Sequence, residues 1–332
     1  MNGSRDDWKP TASWATLECR ARMLAVLRRV FDENGYIEVE TPLLSMDVCI
    51  DEHLEPFVVA EPGGVERFLQ TSPEFAMKRL LAAGADSIYQ VTRAFRRDEL
   101  GQRHNPEFTM VEWYRRDSSY HDQMDFTETL IRAVALAVDP VPAWSDETPF
   151  RRLSYDEAFQ RALGVEVLAR PTSELVALAR RELDSIPDGL TEQDRDGWLN
   201  LLLAGRVEPT LGRSGPEFLF DYPASQAALA RVRCGTIDVA ERMELYIDGL
   251  EICNGYQELT DADELADRMR KQLQRRLAAG GRRLPVGSRL ESAQRAGFPE
   301  CAGVALGLDR LVMSVLGLPC IQDVLAFPFP RA

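Results

Sequence analysis

A single α+β domain interrupted by a helical insertion is what the order of patterns along this chain predicts. After one opening helix, strand-like runs and turns dominate up to residue 145, residues 154–206 are helical, and from 236 the chain returns to strands and then helices. No internal repeat or low-complexity linker divides these stretches, which favours one core over two independent domains. With 332 residues, 45% hydrophobic and 28% charged, the chain can bury that core.

Residues 1 to about 14 read as a loose leader. Leu17, Ala21, Leu24, Leu27 and Phe31 then recur at helical spacing, and Gly35 stands where a helix ends in a left-handed residue. Ile37 and Val39 alternate with Glu38 and Glu40 before Pro42, a short strand stopped by proline. Within the insertion, placed at about 150–210, helical patterns cover Tyr155 to Leu163, Ser173 to Leu183 and Glu192 to Leu203.

Lys and Arg number 39 against 53 Asp and Glu, a net charge of −14, which argues against a general nucleic-acid binder needing a basic face. The first ten residues hold two aspartates and no apolar core of a signal peptide, and no 18 consecutive apolar residues occur, so secretion and membrane spanning are not expected. Six scattered cysteines form no Cys-x-x-Cys, and His53, His104 and His121 have no metal-ligand spacing. Reduced cysteines, a cytoplasmic location and no zinc are the expectation.

Two stretches depart from the acidic average. Arg93, Arg96, Arg97 and Arg103 make one cationic spot, and 268–283 holds seven bases and no acid, a pattern that suits a solvated helix face or a docking surface.

Neither Gly-x-x-x-x-Gly-Lys-Ser/Thr nor Gly-x-Gly-x-x-Gly occurs, so nucleotide chemistry would need another phosphate site. The stretch from Tyr89 to Tyr114 reads as a long hairpin with a polar centre, and period-2 alternation sets Phe108, Met110, Glu112 and Tyr114 on one face near Arg96. A half-buried strand with Phe108 and Met110 in the core has the same pattern. Asp248-Gly249 is a two-residue hairpin turn that pairs Tyr246 with Glu251 and makes Glu244 and Glu251 diagonal neighbours on one face, about 7 Å apart at Cβ. Such carboxylates can flank Mg²⁺, or simply face solvent on an edge hairpin. Gly303 to Met313 reads as a small-residue strand entering an apolar helix, with Arg310 in the first turn, where dipole and guanidinium can jointly hold a phosphate.

In this order the segments resemble the three motifs of class II aminoacyl-tRNA synthetases, from about residue 15 to the C-terminus. The opening helix through Glu40-Thr-Pro42 is similar to motif 1, Phe95-Arg96 to Glu112 to motif 2, and Gly303 to Arg310 to motif 3. Thr71-Ser-Pro-Glu74, His104-Asn-Pro-Glu-Phe-Thr-Met110 and Asn254-Gly-Tyr-Gln-Glu-Leu259 resemble the lysine-binding segments of the lysyl enzymes. Motif 1 starts too near the N-terminus for an anticodon-binding barrel. That feature, the acidic charge and Ala305 in place of the usual glycine look like the free-standing lysyl-tRNA synthetase paralogues that join (R)-β-lysine to a lysine of elongation factor P.

The resemblance implies a synthetase-type catalytic domain over 15–332, with an antiparallel sheet flanked by helices, a homodimer formed through motif 1, ATP and Mg²⁺ as cofactors, and no use of tRNA. Arg96 and Arg310 would be catalytic, on the α-phosphate and γ-phosphate respectively. Arg97, Asp98, Asn105, Phe108, Glu251, Ile252 and Gly307 would complete the ATP site, and Glu244 and Glu251 would hold the metal. Ser72, Pro73 and Glu74 would line the amino end of the substrate, with Asn254 near its carboxylate. Glu112, Tyr114 and Glu258 would receive its distal ammonium, and Ala305 would shape the pocket floor. Asp98 and Arg97 depart from the usual Glu and Asn of motif 2, and Cys253, Tyr256 and Gln257 are milder changes. A lysine-activating ligase with another acceptor has the same motifs, whereas a non-catalytic subunit would have let Arg96, Glu251 and Arg310 decay.

Overall fold

Ser13 opens the first helix by accepting a hydrogen bond from the Thr16 amide, and α1 (Trp14–Glu33) closes on Asn34 before Gly35 turns the chain at φ +77°. The computed structural model of the chain describes residues 8–52 and 54–332. Residues 1–7 of the expected leader, and His53, lie outside the described residues. Helix α1 buries Met23, Leu27, Val30 and Phe31, whereas Ala21 of the expected face is exposed. Aromatic packing set that rotation, since Phe31 stacks on Tyr89 at 4.1 Å and lies edge-on to Trp113 at 5.5 Å.

After α1 come β1 (Ile37–Glu38), β2 (Leu44–Ser45), β3 (Val58–Ala60), β4 (Glu66–Leu69) and α2 (Glu74–Ala82), then the hairpin of β5 (Ser87–Phe95) and β6 (Glu107–Arg116), and α3 (Tyr120–Ala135). Next are β7 (Arg151–Ser154), α4 (Tyr155–Leu163), α5 (Thr172–Glu182) and α6 (Arg195–Leu202). The chain continues through β8 (Glu217–Pro223), β9 (Val232–Arg233), β10 (Val239–Ile247), β11 (Leu250–Gln257), α7 (Ala262–Ala278), α8 (Arg289–Gly297), β12 (Cys301–Gly307) and α9 (Leu308–Leu316).

The sequence patterns missed α2 and α3, both inside the stretch read as strands and turns. Helix α3 is started by a capping box in which Ser119 and Asp122 bond each other's amides. Pro73 opens α2, which buries Phe75, Met77, Lys78 and Leu81; its internal lysine hid the apolar period.

Among the described residues the main sheet runs β1-β5-β6-β12-β11-β10-β8-β7, with β9 on β10; only the β1·β5 and β7·β8 pairs are parallel. Alternation gives its two faces different tasks. Val111, Trp113, Val304, Leu306, Met243 and Leu245 join the core with residues of α1, α3 and α9. Phe108, Met110, Glu112 and Tyr114 point the other way, into a cavity. Helices α4 to α6 form a second core, where Phe159, Leu175, Trp198 and Leu202 pack against Leu219 and Tyr246 of the sheet.

Candidate active site

A cavity of about 890 Å³ lies on the polar sheet face, within the size range of small-molecule sites. Arginines gather at one end. Arg96, on the loop after β5, lies 5.0 Å over the Phe108 ring and pairs with Glu99 at 3.3 Å. Arg310, in the first turn of α9, reaches the Glu251 carbonyl at 3.1 Å and its carboxylate at 3.4 Å, and donates to His104 Nε2 at 2.5 Å. Burial and the Arg310 charge push the His104 pKa down, so its imidazole stays neutral and can accept that bond.

The next residue fixes Arg310 in place. Buried Asp309 pairs with Arg20 of α1 at 2.6 Å and accepts from the Thr109 amide of β6 at 2.8 Å, joining three elements under the arginine. Asn105 is pinned too, as its side chain accepts from the Phe329 amide at 2.9 Å.

The middle of the cavity carries the expected carboxylate pair, with a change of register. Asp248 and Gly249 both have positive φ, as a type I′ turn requires, and Tyr246 pairs with Glu251. A bulge between Leu245 and Tyr246 then sets Glu244 opposite Asn254, and Glu251, Ile252 and Asn254 all line the cavity. Glu244 accepts from Tyr222 and Tyr246, each at 2.6 Å, and from Arg242 at 2.5 Å. Glu251 is pushed up by burial and by Glu244, and Glu208 is pushed up to about 7 by burial, Glu244 and Glu251. A divalent cation would relieve that crowding. Among the described residues no group of three or more His, Cys, Asp or Glu side chains could hold a metal ion.

The closed end is acidic and buried. Glu112 accepts from Tyr114 at 2.5 Å and Ser72 at 2.9 Å, and its pKa is pushed up to about 8 by burial and by Glu74. Glu258, just beyond β11, pairs with Lys78, which also pairs with Glu74 at 2.5 Å. Gly303 makes room here, since a Cβ on it would overlap the Tyr114 ring and come within 2.9 Å of Glu258 Oε1. Ala305, paired with Glu112 across β6 and β12, lines the floor.

Most of the residues singled out in the sequence therefore meet in one cavity: Ser72, Glu74, Arg96, Asn105, Phe108, Glu112, Tyr114, Glu244, Glu251, Ile252, Asn254, Glu258, Ala305, Gly307 and Arg310 all line it. Three do not. Arg97 and Asp98 stand on an exposed turn, and Pro73 is buried at the start of α2, outside the lining. Glu99, rather than Asp98, turns inward to Arg96. Asn254 donates to the Tyr256 hydroxyl at 3.2 Å, and its buried Oδ1 has no hydrogen-bond partner among the described residues. Lys78, Asp309 and His104 are residues whose site roles sequence patterns did not reveal. Helical i, i+4 spacing of Glu74 and Lys78 was the one available signal.

The model of the tRNA synthetases class II (D, K and N) matches residues 7–331. The chain belongs to the class II tRNA synthetase family. Curated relatives from Salmonella dublin, Salmonella heidelberg strain SL476 and Salmonella agona strain SL483 are each 43% identical over 331 residues, covering 98% of this chain and 98% of the relative. Each is named elongation factor P–(R)-β-lysine ligase. This is the branch that the sequence resembles, and the expected α+β class and synthetase-type fold are borne out by the family match and the large, mainly antiparallel sheet.

Proposed function

We propose that this protein is an ATP-dependent ligase that activates (R)-β-lysine as an adenylate and transfers it to a lysine of elongation factor P. The observation that carries this reading is the polarity of the cavity: arginines at one end and three carboxylates at the other, of which Glu112 and Glu258 are buried and Glu74 reaches in from α2. A molecule with a carboxylate at its head and ammonium groups along its tail, laid beside a nucleotide triphosphate, matches that order of charges.

Phe108, with Arg96 above it, offers a stacking platform for the adenine, and Asn105 lies beside it. Arg96 draws the lysine carboxylate and the α-phosphate together, so that one carboxylate oxygen attacks phosphorus in line as pyrophosphate leaves. Arg310 holds the γ-phosphate, supported by Asp309 next to it. Glu251 and Glu244 would hold Mg²⁺, which supplies charge neutralisation on the phosphates. The acceptor amine then attacks the adenylate carbonyl, loses a proton and displaces AMP. Catalysis comes mainly from positioning and preorganised charge. Glu112, Tyr114 and Glu258 receive the distal ammonium, and Glu74 and Ser72 the other amine.

The domain reading, one catalytic unit over 15–332 with an insertion at about 150–210, fits helices α4 to α6 and their separate core. Exposed Ile37, Leu43, Leu44 and Met46 around motif 1 support a homodimer through that surface. The net charge of −14 supports a protein rather than a tRNA acceptor. No described helix is long and apolar enough to cross a membrane. The proposed place of action is the cytoplasm. In the basic stretch 268–283, Arg268 bonds two carbonyls before β9 and Arg276 is buried on Glu55, whereas Arg270, Lys271 and Arg282 stay exposed and pair with Asp267 and Glu66. Part of the stretch packs the helix and part remains on the surface.

Incubation with ATP, Mg²⁺, (R)-β-lysine and elongation factor P should add one lysyl mass to a single lysine of the factor while bulk tRNA stays uncharged. Efficient tRNA charging without that mass gain would refute the reading.

A further inference from the structure

Lys78 lies behind the closed end of the cavity, on α2, with only 2% of its side chain exposed. Its Nζ stands 2.5 Å from Glu74 Oε1, pairs with Glu258 and sits 5.9 Å from the centre of the Tyr114 ring. An ammonium has three protons and no acceptor. Two carboxylates and a ring face use them up. Burial works against this charge, but Glu258 and Glu74 outweigh it and hold the lysine above its ordinary pKa.

Three carboxylates, Glu74, Glu112 and Glu258, therefore share this end with one permanent cation. The other nearby guanidiniums are engaged elsewhere, Arg96 with Glu99 and Arg242 with Glu244. Ionised, the end carries two uncompensated negative charges, and buried charge without a partner is costly. A second observation lies alongside: Thr71 is 2% exposed and lines the cavity, and its hydroxyl has no hydrogen-bond partner among the described residues.

We propose that Lys78 is the countercation that fixes the closed end as a receptor for two ammonium groups, and so a specificity-determining positioning residue. This rests on the substrate reading above and narrows it: the pocket selects a diamino acid over an amino acid of the same length with one amine. Without Lys78 the end would hold three negative charges, and with it two. (R)-β-lysine carries two ammoniums, and 6-aminohexanoate is the same chain lacking the amine nearer the carboxylate.

The groups that face Glu258 are Lys78 and Glu74 on α2, Tyr114 on β6, Tyr256 on β11 and Cys301 on β12. Glu112 is coupled to the same set through Glu74. Of these only Lys78 is cationic, so removing it must raise the pH at which the carboxylates ionise.

The test is the ratio of affinities for (R)-β-lysine and 6-aminohexanoate, measured by calorimetry on the full chain without acceptor. Glu258→Gln leaves one net charge, and the ratio should fall by about tenfold or more, the effect of a close opposite charge. Lys78→Met with Glu258→Gln restores a count of two with neutral isosteres, and the ratio should recover. In Lys78→Met alone, the acid limb of kcat/KM for lysine in pyrophosphate exchange should move up by about one pH unit or more, with KM for ATP unchanged. Lys78→Arg should keep the limb in place. A ratio unaffected by Glu258→Gln, or not restored in the double variant, overturns the proposal. If Lys78→Met fails to fold, the double variant still decides. A wild-type protein that binds 1,5-diaminopentane but neither lysine isomer would refute the substrate reading and leave the charge count standing.

Discussion

The two ends of the cavity recognise charge in opposite ways. At the phosphate end Arg96 and Arg310 keep 25% and 21% of their side chains exposed, and guanidiniums do not titrate in the working range of a protein. At the closed end Glu112 and Glu258 keep 1% each, and their pKa values are pushed to about 8 and about 7, burial being the main cause and Glu74 adding to it against the pull of Lys78. Under the proposed reading the nucleotide would meet permanent charge, and the amino acid charge that exists only when protons leave. One end tolerates changes of pH and the other reports them.

The sharpest way to break this contrast is Glu258→Gln. It leaves Lys78 buried with one partner fewer and should weaken lysine binding by ~2–5 kcal/mol, while KM for ATP changes little. Equal loss for both ligands would mean that the cavity collapsed as one body. Next in size, Arg310→Ala should keep the fold, because Asp309 rather than Arg310 ties α9 to α1 and β6, but lower lysine-dependent pyrophosphate exchange by about 10²-fold or more. Near-normal exchange in that variant would move the phosphate site elsewhere.

A smaller effect is expected at the floor. Ala305→Gly removes one methyl beside Glu112 and should shift selection toward α-lysine by ~1–3 kcal/mol, read as the ratio of exchange rates for the two isomers. An unchanged ratio would remove Ala305 from specificity.

The smallest effect concerns pH. Both carboxylates have folded-state values above the ordinary 4.5, so the full negative charge of the closed end develops only as the pH rises through about 7 to 8. kcat/KM for lysine should fall as the pH drops below 7, by up to about tenfold per unit for each carboxylate that must be ionised, while KM for ATP stays flat. Parallel pH profiles for the two substrates would erase the distinction between the ends.

The sequence by itself determined the faces. Period-2 alternation set Phe108, Met110, Glu112 and Tyr114 together, Asp248-Gly249 set the turn that brings Glu251 opposite Tyr246, and the order of the motifs pointed to the family. These are local rules, fixed by strand pleat and backbone dihedrals, and they hold wherever the strand finally packs. Leu24, Leu27 and Phe31 of the expected α1 face meet the core and Ala21 does not, because Tyr89 and Trp113, which receive that face, arrive from β5 and β6. The resemblance to motif 2 implies that Arg97 and Asp98 join Arg96 in the ATP site, yet the turn after β5 directs them to solvent and Glu99 inward. Only the tertiary structure decided which charges are spent. Lys78 meets Glu258, and Asp309 meets Arg20, because α2 lies against the end of β11 and α9 against α1. Long-range ion pairs leave no period in the sequence, because desolvation and partner geometry act only after the core has closed.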